Sequence, residues 1–357
     1  RKSRRDKRRL GTVLASLIRI AVDAMGGEFG PPVVVPALIA CLRNNTSVTA
    51  LIFGDKQAID KELVGFGLSS VRNRMTVIHC AEVVSDFDRP SVAVRSKRDS
   101  SMGRAVKAVA EQDADACISA GNTGALMALG LFNLKTLPGI SRPAICTTFP
   151  TVRGRTYVLD LGANIECSAE QLHQFAVLAN LTSQQLDKNP SPTIRLLNVG
   201  VEETKGGDQL QKTASLLEQD DSLNYAGFVE GDGIFEGLSD IVVCDGFSGN
   251  IALKTSEGFA SMIAVLLEDL FSKSWIARVS LILVSRSFKD LKARLDPAFY
   301  NGAYLLGLNG VVVKSHGSAS KKAFGHALDV AILAAERNLP KALAPLLESK
   351  LTKLNKE

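Results

Sequence analysis

Short apolar runs followed by glycine-rich polar turns recur along the chain, and each turn leads into a segment with helical spacing. These runs predict strands near Ala116–Ser119, Tyr157–Asp160, Ile194–Val199, Ile241–Cys244 and Val311–Lys314. Three earlier apolar runs predict strands at Ile18–Val22, Ala50–Gly54 and Met75–Cys80. Strands that alternate with helices indicate a mostly parallel sheet covered on both faces. We therefore predict an α/β fold.

The five turns share a chemistry that suits an anion. They are Ser119–Gly124, Asp160–Glu166, Asn198–Gly207, Asp245–Asn250 and Lys314–Ser318. The first N–H groups of a helix lack intrahelical partners, and the helix dipole is positive there, so phosphate is favoured. Ligands of such sheets gather outside the carboxyl ends of the strands, where we expect the turns to lie. The pattern predicts an enzyme with a phosphate-bearing or phosphate-like substrate.

Local signals mark where helices begin and break. Ser168 and Gln171 have the spacing of a capping box, and Asp208 is positioned to cap the helix that follows Gly206 and Gly207. The segment Ser91–Ala110 has helical spacing with a break near Asp99–Ser101.

Composition indicates a globular protein with an unusual start. The chain has 357 residues, 46% of them hydrophobic, and a formal net charge of +5. Residues 1–9 hold seven Lys or Arg, so the remainder is nearly neutral and gives no sign of a nucleic-acid-binding body. We predict a basic disordered extension at 1–12, a single catalytic domain at 13–345 and a tail at 346–357. The extension is either dispensable or touches RNA or an anionic membrane.

No motif indicates a metal or a nucleotide cofactor. The six cysteines lack metal-binding spacing and are expected to be reduced and buried. The pattern GxxxxGK[ST] is missing, and no predicted strand leads into GxGxxG. His316 is the one histidine of four in a glycine turn after a strand, so it is the candidate functional histidine. His79, His173 and His326 are expected to pack or lie at the surface.

Residues 266–295 mix large apolar and basic side chains without an apolar run long enough to span a bilayer. The segment is predicted to be a basic amphipathic helix or hairpin on an anionic membrane surface. The alternative is a dimer-interface or core helix with a solvated basic face.

Six motifs in order resemble the bacterial phosphate acyltransferase family. They are Ala21–Pro31, Ser119–Met127, Leu159–Asn164, Asn198–Glu203, Val243–Asn250 and Lys314–Ser318. The resemblance implies an αβα sandwich like those of phosphotransacetylases and isocitrate-dehydrogenase-like folds. It also implies a cytoplasmic, peripherally membrane-bound homodimer without a cofactor. Two places depart from the family pattern: Glu28, which is a conservative change, and the stretch Glu230–Gly237, which puts any role of Asp232 in doubt.

The implied reaction moves a long-chain acyl group from acyl carrier protein to inorganic phosphate and gives acyl-phosphate for glycerophospholipid synthesis. A downstream glycerol-3-phosphate acyltransferase is a further candidate partner. One alternative is a phosphotransacetylase-like or phosphotransbutyrylase-like enzyme that uses coenzyme A thioesters. A second is a non-catalytic membrane scaffold that binds acyl carrier protein.

The glycine turns supply the candidate site residues. The candidate catalytic residues are His316, Lys254, Asn250 and Asp245. The candidate substrate and phosphate contacts are Asp23, Gly26, Gly27, Asn122, Thr123, Gly124, Asp160, Gly162, Asn164, Glu202, Lys205, Gly206, Gly246, Ser248, Gly249 and Gly317. Phosphate is already an anionic nucleophile, so the site has to position it and to stabilise the charge that develops on the thioester carbonyl.

Overall fold

A computed structural model describes residues 17–202, 204–272 and 301–354. Its centre is one sheet of 11 strands. The strands are β1 Ile18–Asp23, β2 Val48–Gly54, β3 Met75–His79, β4 Ala116–Ser119, β5 Ala144–Thr151, β6 Gly154–Leu159, β7 Thr193–Leu197, β8 Asn224–Val229, β9 Ile241–Val243, β10 Ala303–Leu306 and β11 Val311–Lys314. All eight strands expected from the sequence are present, and β5, β8 and β10 are additional.

Helices cover both faces of this sheet. They are α1 Pro31–Asn44, α2 Lys56–Leu63, α3 Pro90–Ser96, α4 Ser101–Ala110, α5 Thr123–Leu134, α6 Ala169–Leu186, α7 Asp208–Glu218, α8 Gly233–Glu236, α9 Gly246–Ser272, α10 Lys321–Glu336 and α11 Leu339–Leu354. The buried side chains of α1, α6 and α10 form one core layer, and those of α4 and α5 form the other. The expected α/β fold, an αβα sandwich with a mostly parallel sheet, is confirmed.

The strand order reverses direction in the middle of the sheet. The order is β3-β2-β1-β4-β11-β10-β5-β6-β9-β7-β8. The pairs β11–β10, β10–β5 and β5–β6 are antiparallel, whereas the pairs on either side of them are parallel. The carboxyl ends of β1, β4 and β11 therefore lie at one edge, and those of β6, β9 and β7 lie at the opposite edge. All five turns follow the carboxyl ends of their strands, as expected, but they lie at two opposite edges of the sheet because the pairings of β10 and β5 are antiparallel.

Helix caps follow local chemistry, with one correction. Ser168 and Gln171 form the expected capping box at the start of α6. Asp208 does not cap α7, because it is the first helical residue and Gly207 occupies the N-cap position. Asp232 caps α8, since its carboxylate accepts the Gly233 N–H at 2.9 Å.

Several expectations fall partly or wholly outside the described residues. The basic extension lies there entirely, and so does most of the 266–295 segment, of which only 266–272 belongs to α9. Helix α11 continues past position 345, and Leu347 is buried. No helix in the described parts of the chain is long and apolar enough to cross a membrane. All six cysteines are free and buried, as expected.

Candidate active site

Three turns pack together where β1, β4 and β11 end. The buried Asp23 carboxylate accepts the Ser119 hydroxyl at 2.6 Å, and the Ser119 oxygen accepts the Gly121 N–H at 3.1 Å. Burial raises the pKa of Asp23 in spite of these donors. A Cβ atom on Gly26 would lie 2.6 Å from the Gly121 nitrogen, so the two turns meet without room for a side chain.

The Lys314–Ser318 turn packs against the turn after β1. Gly27 has φ +87°, which glycine adopts at little cost, and a Cβ there would lie 2.8 Å from the Gly317 carbonyl oxygen. The Glu28 N–H donates to the same oxygen at 2.9 Å. The first, second and last glycine motifs therefore form one polar edge, which includes Asp23.

Asn122 uses its side chain to hold a neighbouring loop. Its carbonyl oxygen caps α5 by accepting the Ala125 N–H at 3.0 Å. Its amide nitrogen donates to the carbonyl oxygens of Asp86 at 2.9 Å and Asp88 at 3.0 Å. Both ends of the Asn122 side-chain amide are thus hydrogen-bonded within the protein, to α5 and to the loop. Thr123 and Gly124 form the first turn of the helix, and Gly124 faces Pro90 at the start of α3.

At the opposite edge, Asp160 organises the turn after β6. One carboxylate oxygen accepts the N–H groups of Ile145, Gly162 and Ala163 at 2.9–3.2 Å. The other accepts the Asn164 N–H at 2.7 Å and its side-chain amide at 2.9 Å. The side chain is fully buried, and this burial raises its pKa. Asp160 fixes backbone geometry and is shielded from any ligand.

The amino end of α9 sits directly on this turn. A Cβ atom on Gly246 would lie 2.5 Å from the Asn164 carbonyl oxygen, and one on Gly249 would lie 1.9 Å from the Asp160 carbonyl oxygen. Asp245 caps the helix by accepting the Ser248 N–H at 2.7 Å.

Asn250 follows on the same helix. A Cβ atom built on Gly162 would lie 3.6 Å from the Asn250 amide oxygen, and Asn250 is exposed. Asn250 is therefore placed at the surface beside the Asp160 turn.

The turn after β7 belongs to the same edge. Asn198 is buried, and its amide donates to the Lys205 carbonyl oxygen at 3.1 Å, which closes the loop. Gly206 has φ +85° and leaves room for this amide. The side chains of Glu202 and Lys205 are exposed and lie 4.0 Å apart. Lys205 is thus a solvent-facing cation above the carboxyl ends of β7 and β9.

Helix α9 connects the two edges of the sheet. Asn250, Lys254 and Glu257 are four and three residues apart, so they share one helix face. Lys254 Nζ lies 2.9 Å from His316 Nε2 and donates to Glu257 Oε2 at 2.8 Å. His316 Nε2 lies 3.5 Å from the same carboxylate oxygen. The structure thus joins Lys254 from one group of turns to His316 from the other.

Hydrogen bonds hold Glu257 in its charged form. Burial alone would raise the pKa of Glu257, but hydrogen bonds from His316 and Lys254 outweigh it and lower that pKa. The Lys254 and His316 side chains are about half exposed, so both remain open to a ligand. Two exposed N–H donor groups this close together can bind an oxyanion.

The His316 ring is fixed from its other side. The Ser318 N–H donates to Nδ1 at 3.2 Å, and the Ser318 hydroxyl lies 2.9 Å from it. The Asn301 amide oxygen accepts the His316 backbone N–H at 2.8 Å, while its amide nitrogen donates to the Ala323 carbonyl oxygen at 2.8 Å. Because Nδ1 accepts hydrogen bonds, Nε2 is the ring nitrogen that can carry a proton toward the cluster.

Sequence reasoning missed two charged residues of this region. Glu257 gave no signal because it lies well inside a helix, and its role depends on the contact with His316. Lys314 was visible only as part of a turn. Its ammonium donates to the carbonyl oxygens of Ala120, at 3.2 Å, and Ser315. Burial lowers the pKa of Lys314 to about 8, partly opposed by Asp86.

The arrangement suits the positioning of an anion. Among residues 17–202, 204–272 and 301–354, no group of three or more His, Cys, Asp or Glu side chains could hold a metal ion. The exposed donors are Lys254, His316 and Asn250, while Asp160 and Asp245 hold the backbone beneath them. Such a site can bind phosphate and stabilise a developing oxyanion.

Comparison with known proteins identifies relatives over most of the chain. A protein family described as "Fatty acid synthesis protein" matches residues 18–342. The Legionella pneumophila (strain Paris) protein named "Phosphate acyltransferase" is 48% identical over 322 residues, covering 90% of this chain and 94% of the relative. The protein of the same name from Pseudomonas syringae pv. syringae is 49% identical over 330 residues, covering 92% and 96%.

Solved structures with the same fold are more distant in sequence. A phosphotransacetylase from Streptococcus pyogenes superposes with a TM-score of 0.58 at 19% identity, covering 89% of this chain and 94% of that one. The EutD phosphotransacetylase from Staphylococcus aureus gives a TM-score of 0.56 at 15% identity, covering 92% and 95%. At these identities the likeness establishes the fold alone.

Proposed function

Since the chain belongs to the phosphate acyltransferase family of fatty acid and phospholipid synthesis, we propose that it moves a long-chain acyl group from acyl carrier protein to inorganic phosphate. The products are acyl-phosphate and the free thiol of the carrier. The observation that carries the assignment of the site is the 2.9 Å contact between Lys254 and His316, which joins two glycine-turn units around an open pair of donors.

In the proposed reaction a phosphate oxygen attacks the thioester carbonyl carbon. The carbon–sulfur bond breaks, and the sulfur leaves with the electron pair and takes up a proton. The Lys254 ammonium and the His316 Nε2–H hold the phosphate, and Glu257 keeps both donors in place. The Asn250 amide, one helical turn before Lys254, donates to the carbonyl oxygen as it gains charge. The thiol has an ordinary pKa of about 8.5, so its departure needs little acid assistance.

The remaining candidates act as positioning groups or as a second cation. Asp160 and Asn164 fix the turn beneath Asn250, and Asp245 fixes the start of α9 through Ser248. We propose that Lys205, in the turn after β7, attracts anions toward the site with its exposed ammonium.

The test is formation of acyl-phosphate by purified protein from palmitoyl-acyl carrier protein, with and without phosphate. Palmitoyl- and acetyl-coenzyme A are run as alternative donors. The expected result is a phosphate-dependent product from the carrier-bound donor. His316→Ala and Asn250→Ala should each lower turnover roughly tenfold or more, since each removes a transition-state donor. His326→Ala, which removes a histidine from α10, serves as the matched control.

Other outcomes would redirect the assignment. Product from acetyl-coenzyme A alone would place the chain with enzymes that use short coenzyme A thioesters. Full activity of folded His316→Ala would remove the Lys254–His316 cluster from the reaction. Binding of acyl carrier protein without formation of any product would support the alternative of a non-catalytic scaffold.

We also propose that the protein is a homodimer that contacts membranes peripherally. The second half of α9 exposes Phe259, Met262, Val265 and Leu266, an apolar face of the kind that mediates association. A Phe259→Asp, Met262→Asp double variant should run as a monomer in light scattering if this face forms the dimer. Flotation with anionic vesicles tests membrane contact through 266–295, and no flotation of the wild-type protein would refute that contact.

A further inference from the structure

A surface beside the candidate active site carries an exposed phenylalanine and three arginines that the proposed chemistry leaves unused. Phe87 is the tip of the loop 85–88 and is 97% exposed. Arg89, Arg95 and Arg98 follow it on or next to α3, and all three are exposed. We call Phe87, Arg89, Arg95 and Arg98 the loop–α3 surface.

The loop that carries Phe87 is tightly held. The Asn122 amide donates to the carbonyl oxygens of Asp86 and Asp88, on both sides of Phe87. Lys97 Nζ donates to the Asp88 carboxylate at 2.6 Å. These bonds fix the loop before any partner arrives. A preordered contact loses less conformational entropy on binding, which favours a docking role for the exposed ring.

The arginines of this surface are available to an acidic partner. Within the described residues, the guanidinium groups of Arg89 and Arg95 make no hydrogen bond or ion pair. Arg98 lies over the Phe132 ring, 4.1 Å from its centroid, which orients its guanidinium. Aromatic and arginine side chains are the residue types that contribute most at protein interfaces.

Carboxylates interrupt the positive charge of this surface. Lys97 neutralises Asp88, whereas Asp86 and Asp99 remain exposed. These two carboxylates weaken the attraction of this surface to a uniformly anionic bilayer. A protein with discrete acidic side chains can pair with the arginines and avoid them, so the pattern favours a protein partner.

The loop–α3 surface is also close to the proposed chemistry. The charge of Asp86 acts on the partly buried Lys314 ammonium, and Lys314 begins the turn that carries His316. Asn122, which holds the loop, caps the helix that starts at the neighbouring glycine turn. The charges of Lys254 and Glu257 act on the same Lys314 ammonium, so the loop and the cluster both lie near this one side chain.

We propose that the loop–α3 surface docks the acidic carrier protein that delivers the acyl thioester. Carboxylates of the carrier pair with Arg89 and Arg95, and Phe87 inserts at the centre of the contact. The inference rests on the proposed function, because it names where that donor binds.

The test combines kinetics with direct binding. An Arg89→Glu, Arg95→Glu double variant and Phe87→Ser are compared with wild type, using palmitoyl-acyl carrier protein and carrier-free palmitoyl-pantetheine as donors. We expect KM for the carrier-bound donor to rise about tenfold or more and its salt dependence to weaken, with kinetics on the carrier-free donor unchanged. Fluorescence anisotropy of labelled holo-carrier should show the same loss of affinity.

Controls separate this inference from the proposed reaction. Lys61→Glu, Arg72→Glu reverses two exposed charges near the outer strand β3 and should change neither measurement. Equal carrier affinity in all variants would overturn the docking inference even if wild type makes acyl-phosphate. Loss of anionic-vesicle flotation with unchanged carrier kinetics would overturn it in favour of a membrane contact. No product from any donor, with carrier affinity still lost in the variants, would refute the proposed reaction and support the docking surface.

Discussion

Replacing Gly249 with alanine should disable the site by moving a helix rather than by removing a functional group. A Cβ atom at this position would lie 1.9 Å from the Asp160 carbonyl oxygen and 2.9 Å from Cys244 Sγ. Contacts of real Cβ atoms are at least 3.0 Å, so α9 or the Asp160 turn must shift by about 1.1 Å or more. Such overpacking costs about 1–3 kcal/mol of the free energy of unfolding.

The same shift should also lower the rate of acyl-phosphate formation. Asn250 and Lys254 follow Gly249 on α9, so both donors move with the helix. A displacement of about 1 Å in a reacting group costs about 100-fold in rate. The assay is phosphate-dependent formation of acyl-phosphate, measured beside urea unfolding of the same samples at neutral pH.

Gly258→Ala is the matched control, because it makes the same substitution on the same helix. No atom lies within 4 Å of a Cβ built there. Alanine is a better helix former than glycine, so the free energy of unfolding of this variant should increase by about 1 kcal/mol and its turnover should not change. If Gly249→Ala behaves like Gly258→Ala in both measurements, α9 does not depend on its contact with Asp160 and the reasoning fails.

Three further predictions concern charged groups. Burial would raise the pKa of Asp220, but its hydrogen bonds, above all with His173 at 3.1 Å, lower it to about 2. Its contribution to stability is therefore complete above pH ~4 and lost as the pH falls toward 2. Between about pH 4 and 2 the free energy of unfolding, measured in urea, should fall by about 2 kcal/mol less in Asp220→Asn than in wild type. Identical pH curves for the two proteins would contradict this prediction. Lys314 has a lowered pKa of about 8, so the unfolded chain binds its proton more tightly. The free energy of unfolding should therefore rise as the pH increases from about 8 to 10.5, and in Lys314→Met this rise should be about 3 kcal/mol smaller. The same pH dependence in variant and wild type would show that the ammonium is solvated. Glu257→Gln should lower turnover about tenfold by loosening Lys254 and His316, at a cost comparable to one charge-assisted hydrogen bond. Glu111→Gln, at the exposed C-cap of α4, is its control, and equal rates for the two variants would exclude a positioning role for Glu257.

The sequence predicted the elements of this fold better than their arrangement. Each apolar run before a glycine turn formed a strand, because buried parallel strands and helix starts have strong local signals. Strand direction has no such signal. Cys146 on β5 pairs with Tyr304 on β10, about 160 residues away, and this contact reverses the sheet.

The same limit applies to the candidate site. His316 and Lys254 were recognisable as polar residues near glycine turns, but their contact depends on α9 crossing from one edge to the other. Glu257 has significance only through that contact. Asn122 looked like a ligand-binding amide, whereas its partners are carbonyl groups of a loop more than 30 residues earlier in the chain.

The pairing of β4 with β11 has a consequence for how the polypeptide becomes active during synthesis. Ser119 aligns with Lys314, so the first four strands present an open edge until nearly 200 more residues have been made. Closing so long a loop is entropically costly and slow, and an unpaired strand edge invites association with other chains. The strand that protects this edge also brings Lys314 and His316. Assembly of the sheet and completion of the site are therefore one late event, and a nascent chain remains inactive until that event occurs.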